Sequence, residues 1–161
     1  MSFFKLAKNG EELKSQIERF IAYTEEGCEL YSRFKLEITD ADYEAGWAEY
    51  VHTCTEFEKN RYGNIHGGAI TALLDTAIGL TAYELGTGNA SPTMDIKVDF
   101  LKSVHIGDTV LIRAQVLSSG KHSAVLRADM TRDGELLATA ISTNRLYTTT
   151  TPAAPMFAEK K

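Results

Sequence analysis

At 161 residues the chain has the length of a single domain. Its hydrophobic share of 43% and charged share of 24% are ordinary for a globular fold, and no run approaches the ~18 apolar residues of a membrane span. A formal net charge of −5 speaks against a nucleic-acid partner, because phosphate binding needs a basic surface.

Asn9 followed by Glu12 forms a capping pair, the Asn9 side-chain oxygen meeting an orphan amide of a first helical turn. Leu13, Ile17, Phe20, Ile21 and Cys28 then recur three and four residues apart, which predicts an amphipathic helix ending between Gly27 and Ser32. Its one apolar stripe requires something to pack on. From Phe34 the period changes: Phe34, Leu36 and Ile38 alternate with Lys35 and Glu37 as in a strand, and Asp40 to Gly46 supplies a turn. Trp47 to Phe57 reads as a second strand, and residues 58–66 as a loop. A long helix follows, opening on Gly67 and Gly68.

After Gly86 to Asn89 four strands are expected. Thr93 to Leu101 alternates, with Met94, Ile96, Val98 and Phe100 on a face to be packed and Thr93, Asp95, Lys97 and Asp99 on a wet one. Turns at His105 to Asp108 and Ser118 to Lys121 separate it from Thr109–Leu117 and His122–Thr131. Asp133-Gly134 is a strong hairpin signal, since both positions need positive φ. The last strand runs from Glu135 to Tyr147, and residues 148–161 form a loose tail rich in Thr, Ala and Pro. Helix, two strands, long helix and a four-strand meander make an α+β layer, a curved sheet wrapped on one central helix. The divisions are an N-terminal helical extension over 1–33, the sheet domain over 34–147 and the tail.

The central helix is two-faced. At 100° per residue, Ile70, Leu73, Leu74, Ile78, Leu80 and Leu85 gather on one side, expected to bury against the sheet. Gly68, Ala72, Asp75, Gly79 and Ala82 form the other. A solvated face would carry Lys, Glu or Gln there. A stripe of small residues around one acid lets a ligand or another backbone come close, and Gly79, which costs about 0.5–1 kcal/mol relative to alanine, implies a compensating contact. The free amides at the glycine start, with the helix dipole, suit an oxygen that carries negative charge.

The remaining chemistry-bearing residues say less. Cys28 and Cys54 make no disulfide framework or metal spacing and are expected as reduced, packed thiols. His52 and His105 are expected as ordinary strand and turn residues. There is no Gly-rich phosphate loop, no serine elbow and no metal-ligand motif. The N-terminus lacks the apolar core of a signal peptide, so a cytoplasmic, soluble protein is expected. Charge is uneven: residues 1–60 hold 13 acids and 7 bases, and the rest 9 acids and 10 bases, which leaves room for a basic stripe in the second part.

The stretch Asn60-x-x-Gly63-x-x-His66-Gly67-Gly68, with Asp75 nine residues after the histidine, resembles the PaaI-type hotdog-fold acyl-CoA thioesterases. The strand S-P-T-M-D-I-K-V-D-F-L-K-S-V-H-I-G-D is similar as well, and the resemblance spans roughly residues 34–147. It implies a curved antiparallel hotdog sheet around the central helix, in a homodimer or dimer of dimers with active sites at the interface. The substrate it implies is an acyl-CoA, with no cofactor besides the coenzyme A that the substrate carries, and no metal. By the same resemblance Asp75 is the general base (or a nucleophile) reaching into the partner's site, and Gly67 gives its amide to the thioester carbonyl. His66 fixes the loop or polarises the carbonyl, and Asn60 orients water or the carbonyl. Gly68 completes the helix start and Thr93 places a hydroxyl near the water. Lys121 and His122, after Gly120, fall where relatives often place a basic residue near coenzyme A phosphates, with an exposed hairpin as the alternative; Arg145 on the last strand could serve the same anion. Two other functions stay open, a non-catalytic acyl-CoA-binding module and a hotdog hydratase or dehydratase.

Overall fold

The computed structural model describes residue 4, residues 6–86 and residues 91–147. The expected tail over 148–161 lies outside the described residues, as does most of the turn before the third strand. Helix α1 (Gly10–Gly27) starts where Asn9 Oδ1 accepts from the Glu12 amide at 2.9 Å, and it buries Leu13, Ile17 and Phe20. A second helix, α2 (Glu29–Phe34), follows directly after Cys28. Then come β1 (Glu37–Asp42), β2 (Trp47–Thr53), a 3-10 turn (Glu56–Glu58) and α3 (Gly67–Tyr83). Strands β3 (Thr93–Phe100), β4 (Thr109–Ser119), β5 (Ser123–Arg132) and β6 (Glu135–Arg145) complete one sheet.

Every pairing in that sheet is antiparallel, and the strand order is β1-β2-β4-β5-β6-β3. The sheet curves around α3. Ile70, Leu73, Leu74, Ile78, Leu80 and Leu85 are all buried, as the 100° spacing predicts. Each such side chain contributes about 1.5–3 kcal/mol, so this face far outweighs the cost of the helical Gly79. One polar tie crosses the same interface. Thr81 Oγ1 donates to the Ala77 carbonyl at 2.9 Å, so the Tyr50 hydroxyl, 2.8 Å away on β2, must be the donor to Thr81. The β5–β6 hairpin turns through Asp133 (φ 51°) and Gly134 (φ 81°), both in the left-handed region as the dipeptide requires.

Four expectations need correction. Phe34 is not the start of a strand but the end of α2, with Lys35 in the left-handed region as its cap. Phe34, Leu36 and Ile38 are nevertheless all buried. The alternation reported burial, and burial alone does not distinguish a capped helix end from a strand. The second strand likewise stops at Thr53, and the following residues enter the 3-10 turn.

The expected four-strand meander is three strands, because β3 pairs with β6 and not with β4. Strand β3 is therefore an edge with one neighbour, and its apolar side is not packed as expected. Ile96 and Val98 are half-buried, while Met94 and Phe100 are 61% and 53% exposed. Finally, Ala82 belongs to the buried part of α3 and not to the open stripe. Helix α1 covers it there, with Phe20 stacked on Tyr83 at 4.2 Å between ring centroids.

Candidate active site

The open stripe on α3 runs from exposed Gly68 through half-buried Ala72, Asp75 and Gly79. Its two ends carry different chemistry. At the start, His66 is the N-cap, and its ring Nδ1 accepts from the Gly68 amide at 2.8 Å. Accepting there leaves Nδ1 without a proton, so a neutral His66 carries its hydrogen on Nε2. The His66 carbonyl takes the Ala69 and Ile70 amides at 2.9 and 3.1 Å. Among the described residues the Gly67 amide is left without an acceptor, at the positive end of the helix dipole. A Cβ on Gly67 would lie 3.3 Å from the Phe100 ring, and one on Gly68 only 2.9 Å from His66 Nδ1. Both glycines are thus read by their surroundings.

The loop before the helix is held from inside. Asn60 Oδ1 accepts from the Tyr62 and Asn64 amides at 2.8 and 3.2 Å, and the Asn60 amide reaches the Asn64 carbonyl at 2.7 Å. Its oxygen shapes the loop, so any part it plays toward a ligand falls to Nδ2. Below this loop the His66 amide donates to the Glu58 carbonyl at 2.7 Å.

Glu58 belongs to a buried group that sequence reasoning missed by taking His52 as an ordinary strand residue. His52 Nδ1 donates to the Phe34 carbonyl at 2.5 Å, and Nε2 faces Glu58 Oε2 at 3.0 Å. Glu58 Oε1 takes the Thr55 hydroxyl at 2.8 Å. Burial raises the pKa of Glu58, but the bonds from His52 and Thr55 outweigh it and hold the carboxyl below its ordinary range. Cys54 lies close enough for His52, Cys54 and Glu58 to be considered as metal ligands. Both ring nitrogens are already engaged, and burial, with Glu58 and Asp108 nearby, pushes the Cys54 thiol up to about 12. The bonds of His52 and Glu58 brace the loop from inside. The only sequence signal was a histidine facing inward on a strand. His105 is the turn residue expected, its amide donating to Asp108 Oδ2 at 2.8 Å.

At the middle of α3, Asp75 Oδ1 accepts from the Thr93 hydroxyl at 2.6 Å. The pair opens on a cleft of about 290 Å³ that Phe20, Tyr31, Gly79, Leu80, Ser91 and Pro92 also line. Eight residues separate Gly67 from Asp75, which at 1.5 Å per residue is about 12 Å. One chain therefore brings Asp75 and Thr93 together, and His66, Gly67 and Gly68 together, but not the two groups. Gly120, Lys121 and His122 form the exposed β4–β5 turn, where the Gly120 amide donates to the Ser123 carbonyl at 2.9 Å. Ser123 pairs with Arg145, and Asn144 beside it pairs with Thr93. Lys121, His122 and Arg145 thus share the sheet end that carries the Asp75–Thr93 pair.

Residues 62–139 match the profile of the Thioesterase superfamily. That segment, just under half of the chain, carries the superfamily's pattern, and the chain has the PaaI-type hotdog fold. Acyl-coenzyme A thioesterase 13 of Mus musculus is 27% identical over 93 residues, 56% of this chain; the match spans 66% of that relative, just under two thirds. The E. coli PaaI protein from the phenylacetic acid degradation operon has the same fold, with a TM-score of 0.72 at 23% identity over 84% of this chain and 96% of that one. A Streptococcus mutans UA159 protein bound to acetyl CoA is 25% identical, with a TM-score of 0.64 over 70% of this chain and 89% of that one. Among the described residues no helix is long and apolar enough to cross a membrane.

Proposed function

We propose that the protein hydrolyses an acyl-CoA thioester to a carboxylic acid and free coenzyme A, at sites shared between two copies of the chain. The observation that carries this is the separation of two half-sites on one helix: an acid bonded to a hydroxyl, and a free amide at a glycine start about 12 Å away. A base and an oxyanion donor for one carbonyl must lie within a few ångströms of each other. The second half-site must then come from another subunit.

Strand β3 suggests how. It is an unpaired edge, with exposed Met94 and Phe100, and an edge of this kind is a template for another strand. If β3 pairs antiparallel with its own copy, Thr93 of one chain falls near the Phe100 end of the other. Thr93 holds Asp75, and Phe100 lies against Gly67. A two-fold pairing therefore brings each acid to the partner's free amide, and repeats the arrangement twice.

In the resulting site Asp75 takes a proton from water as its oxygen attacks the thioester carbon. The carbonyl oxygen becomes an oxyanion in front of the Gly67 amide, where one such donor contributes about 3 kcal/mol to the transition state. Collapse of the tetrahedral species breaks the C–S bond, and the proton held by Asp75 goes to the departing thiolate. His66 keeps the loop in place through its bond to Gly68. Lys121, His122 and Arg145 are positioned to meet coenzyme A phosphates. Hydrolysis by one carboxylate calls for no metal or redox cofactor.

Thiol release from a panel of acyl-CoAs tests this directly. The parent protein should turn over at least one of them, and Asp75→Asn should lose about 100-fold or more in rate. Equal rates in parent and variant would remove Asp75 from the reaction. Binding of coenzyme A with no turnover of any acyl-CoA would leave a binding module instead.

A further inference from the structure

The cleft beside Asp75 is closed by residues that precede the matched segment. Phe20 comes from α1 and Tyr31 from α2, and together with Leu80 and Pro92 they make the apolar and aromatic part of its wall, alongside the polar Asp75, Ser91 and Thr93. Both helices are held in place. Phe20 stacks on Tyr83. Tyr31 and Phe34 are three residues apart and share a face of α2. Phe34 is buried in the core, and its carbonyl is bound by His52.

The Tyr31 hydroxyl lies close to the side chain of Thr76, the residue after Asp75. Burial, and the neighbouring Asp75 carboxylate, raise the pKa of the phenol above its ordinary value, so it remains neutral. The ring thus reaches from the anchored α2 to the Asp75 stretch of α3. Gly79, one turn beyond Asp75, also lines the cleft, and a Cβ there would meet nothing within 4 Å. The space that the missing side chain leaves is real.

We propose that Tyr31 is the specificity-determining residue of the Asp75 site, its ring closing an acyl subsite that opens over Gly79 and admits compact acyl groups but not long straight chains. This rests on the acyl-CoA reading above. The volume argues for compactness: about 290 Å³ is at the lower limit of the ~300–1,000 Å³ range for small-molecule sites. Such a space suits an acyl group, with the coenzyme A arm outside it. The N-terminal extension is then part of the active site and sets its depth.

The test measures kcat/KM for acetyl-, hexanoyl-, benzoyl- and palmitoyl-CoA in the parent, Tyr31→Ala, Tyr31→Phe and Gly79→Leu. The parent should prefer the compact substrates. Tyr31→Ala should raise the palmitoyl-to-hexanoyl ratio by about tenfold or more, mainly through KM, the scale on which an apolar pocket discriminates. Tyr31→Phe keeps the ring and should restore the parent's order of preference. Gly79→Leu fills the same space from the helix side and should lower kcat/KM for benzoyl-CoA relative to acetyl-CoA about tenfold. It serves as the readout if Tyr31→Ala does not fold. A parent that prefers palmitoyl-CoA, or folded variants with the parent's substrate profile, overturns the proposal. A parent that turns over no acyl-CoA overturns the thioesterase reading, and this proposal with it.

Discussion

The Thr93 hydroxyl donates to Asp75 Oδ1 at 2.6 Å, tying the first residue of β3 to the middle of α3. This bond fixes one carboxylate oxygen and leaves the other for a water. It also ties the acid to the edge strand as one unit. Hydrogen bonds to charged groups contribute about 1.5–3 kcal/mol, equivalent to a factor of about 10–100. Thr93→Val keeps the shape and removes the donor, so kcat should fall by about 10–100-fold with little change in KM. Thr93→Ser should retain most of the rate. Steady-state kinetics on one good substrate would check this, and a Thr93→Val enzyme with parental kcat would show that the bond is ornamental.

Two glycines of the same helix should respond to alanine with opposite signs. At Gly68 a Cβ would come within 2.9 Å of His66 Nδ1 and 3.3 Å of its Cε1. The ring has to leave, and losing a cap costs about 1 kcal/mol. At Gly79 a Cβ meets nothing within 4 Å, so alanine should stabilise by about 0.5–1 kcal/mol. Thermal melts of the two variants should therefore move to either side of the parent. The same direction in both would contradict the contacts drawn around the helix start.

Much of the fold was legible because burial leaves a period in the sequence. The apolar face of α3 was readable from its 100° spacing, and the β5–β6 hairpin from Asp133-Gly134, whose positive φ angles admit few other residues. What the sequence hid was which elements are neighbours. The alternation in Thr93–Phe100 is the same for a central strand as for an edge strand whose second partner is missing. The alternation through Phe34, Leu36 and Ile38 likewise fits a helix end followed by a strand. Asp75 stood out from its small neighbours, whereas Tyr31 gave no local signal, because its cleft partners lie far away in sequence, and the His52–Glu58 pair showed only as a histidine facing inward on a strand.

The proposed sharing of the active site makes a quantitative prediction for mixed subunits. Proline is tolerated at the first position of a helix, and His66, with φ −67° and ψ 135°, has the extended backbone that a following proline needs. Gly67→Pro therefore removes the amide donor and keeps the helix start, provided that the half-exposed Phe100 ring, 3.3 Å from the new Cβ, gives by a few tenths of an ångström. It should lose about 10²–10³-fold in kcat. Subunits carrying Asp75→Asn and subunits carrying Gly67→Pro, each nearly inactive alone, should regain activity on mixing. A heterodimer holds one site with both groups intact, and half of the randomly mixed dimers are of this kind, so about a quarter of the parental activity should return. No recovery after verified subunit exchange would place the acid and the amide in the same chain's site.

Glu84 should give the protein a stability that falls as pH rises. It lies fully buried just past the end of α3, and among the described residues neither carboxylate oxygen has a hydrogen-bond partner. Burial dominates its titration, with Glu12 adding to the rise. The Ala7 amide and Arg19 oppose it without the amide reaching hydrogen-bond geometry, and the result is a pKa pushed up to about 7. The folded protein thus holds this proton at pH values where the unfolded chain, with an ordinary pKa near 4.5, has already lost it. Stability from this group is complete below pH 4.5, declines as pH rises toward 7, and is lost above that. Glu84→Gln removes the ionisation and should flatten this decline, so that its melting temperature exceeds the parent's at pH 8 while the gap narrows at pH 5. Melts across that range decide the matter, because a variant with the parental pH slope would mean that another group carries it.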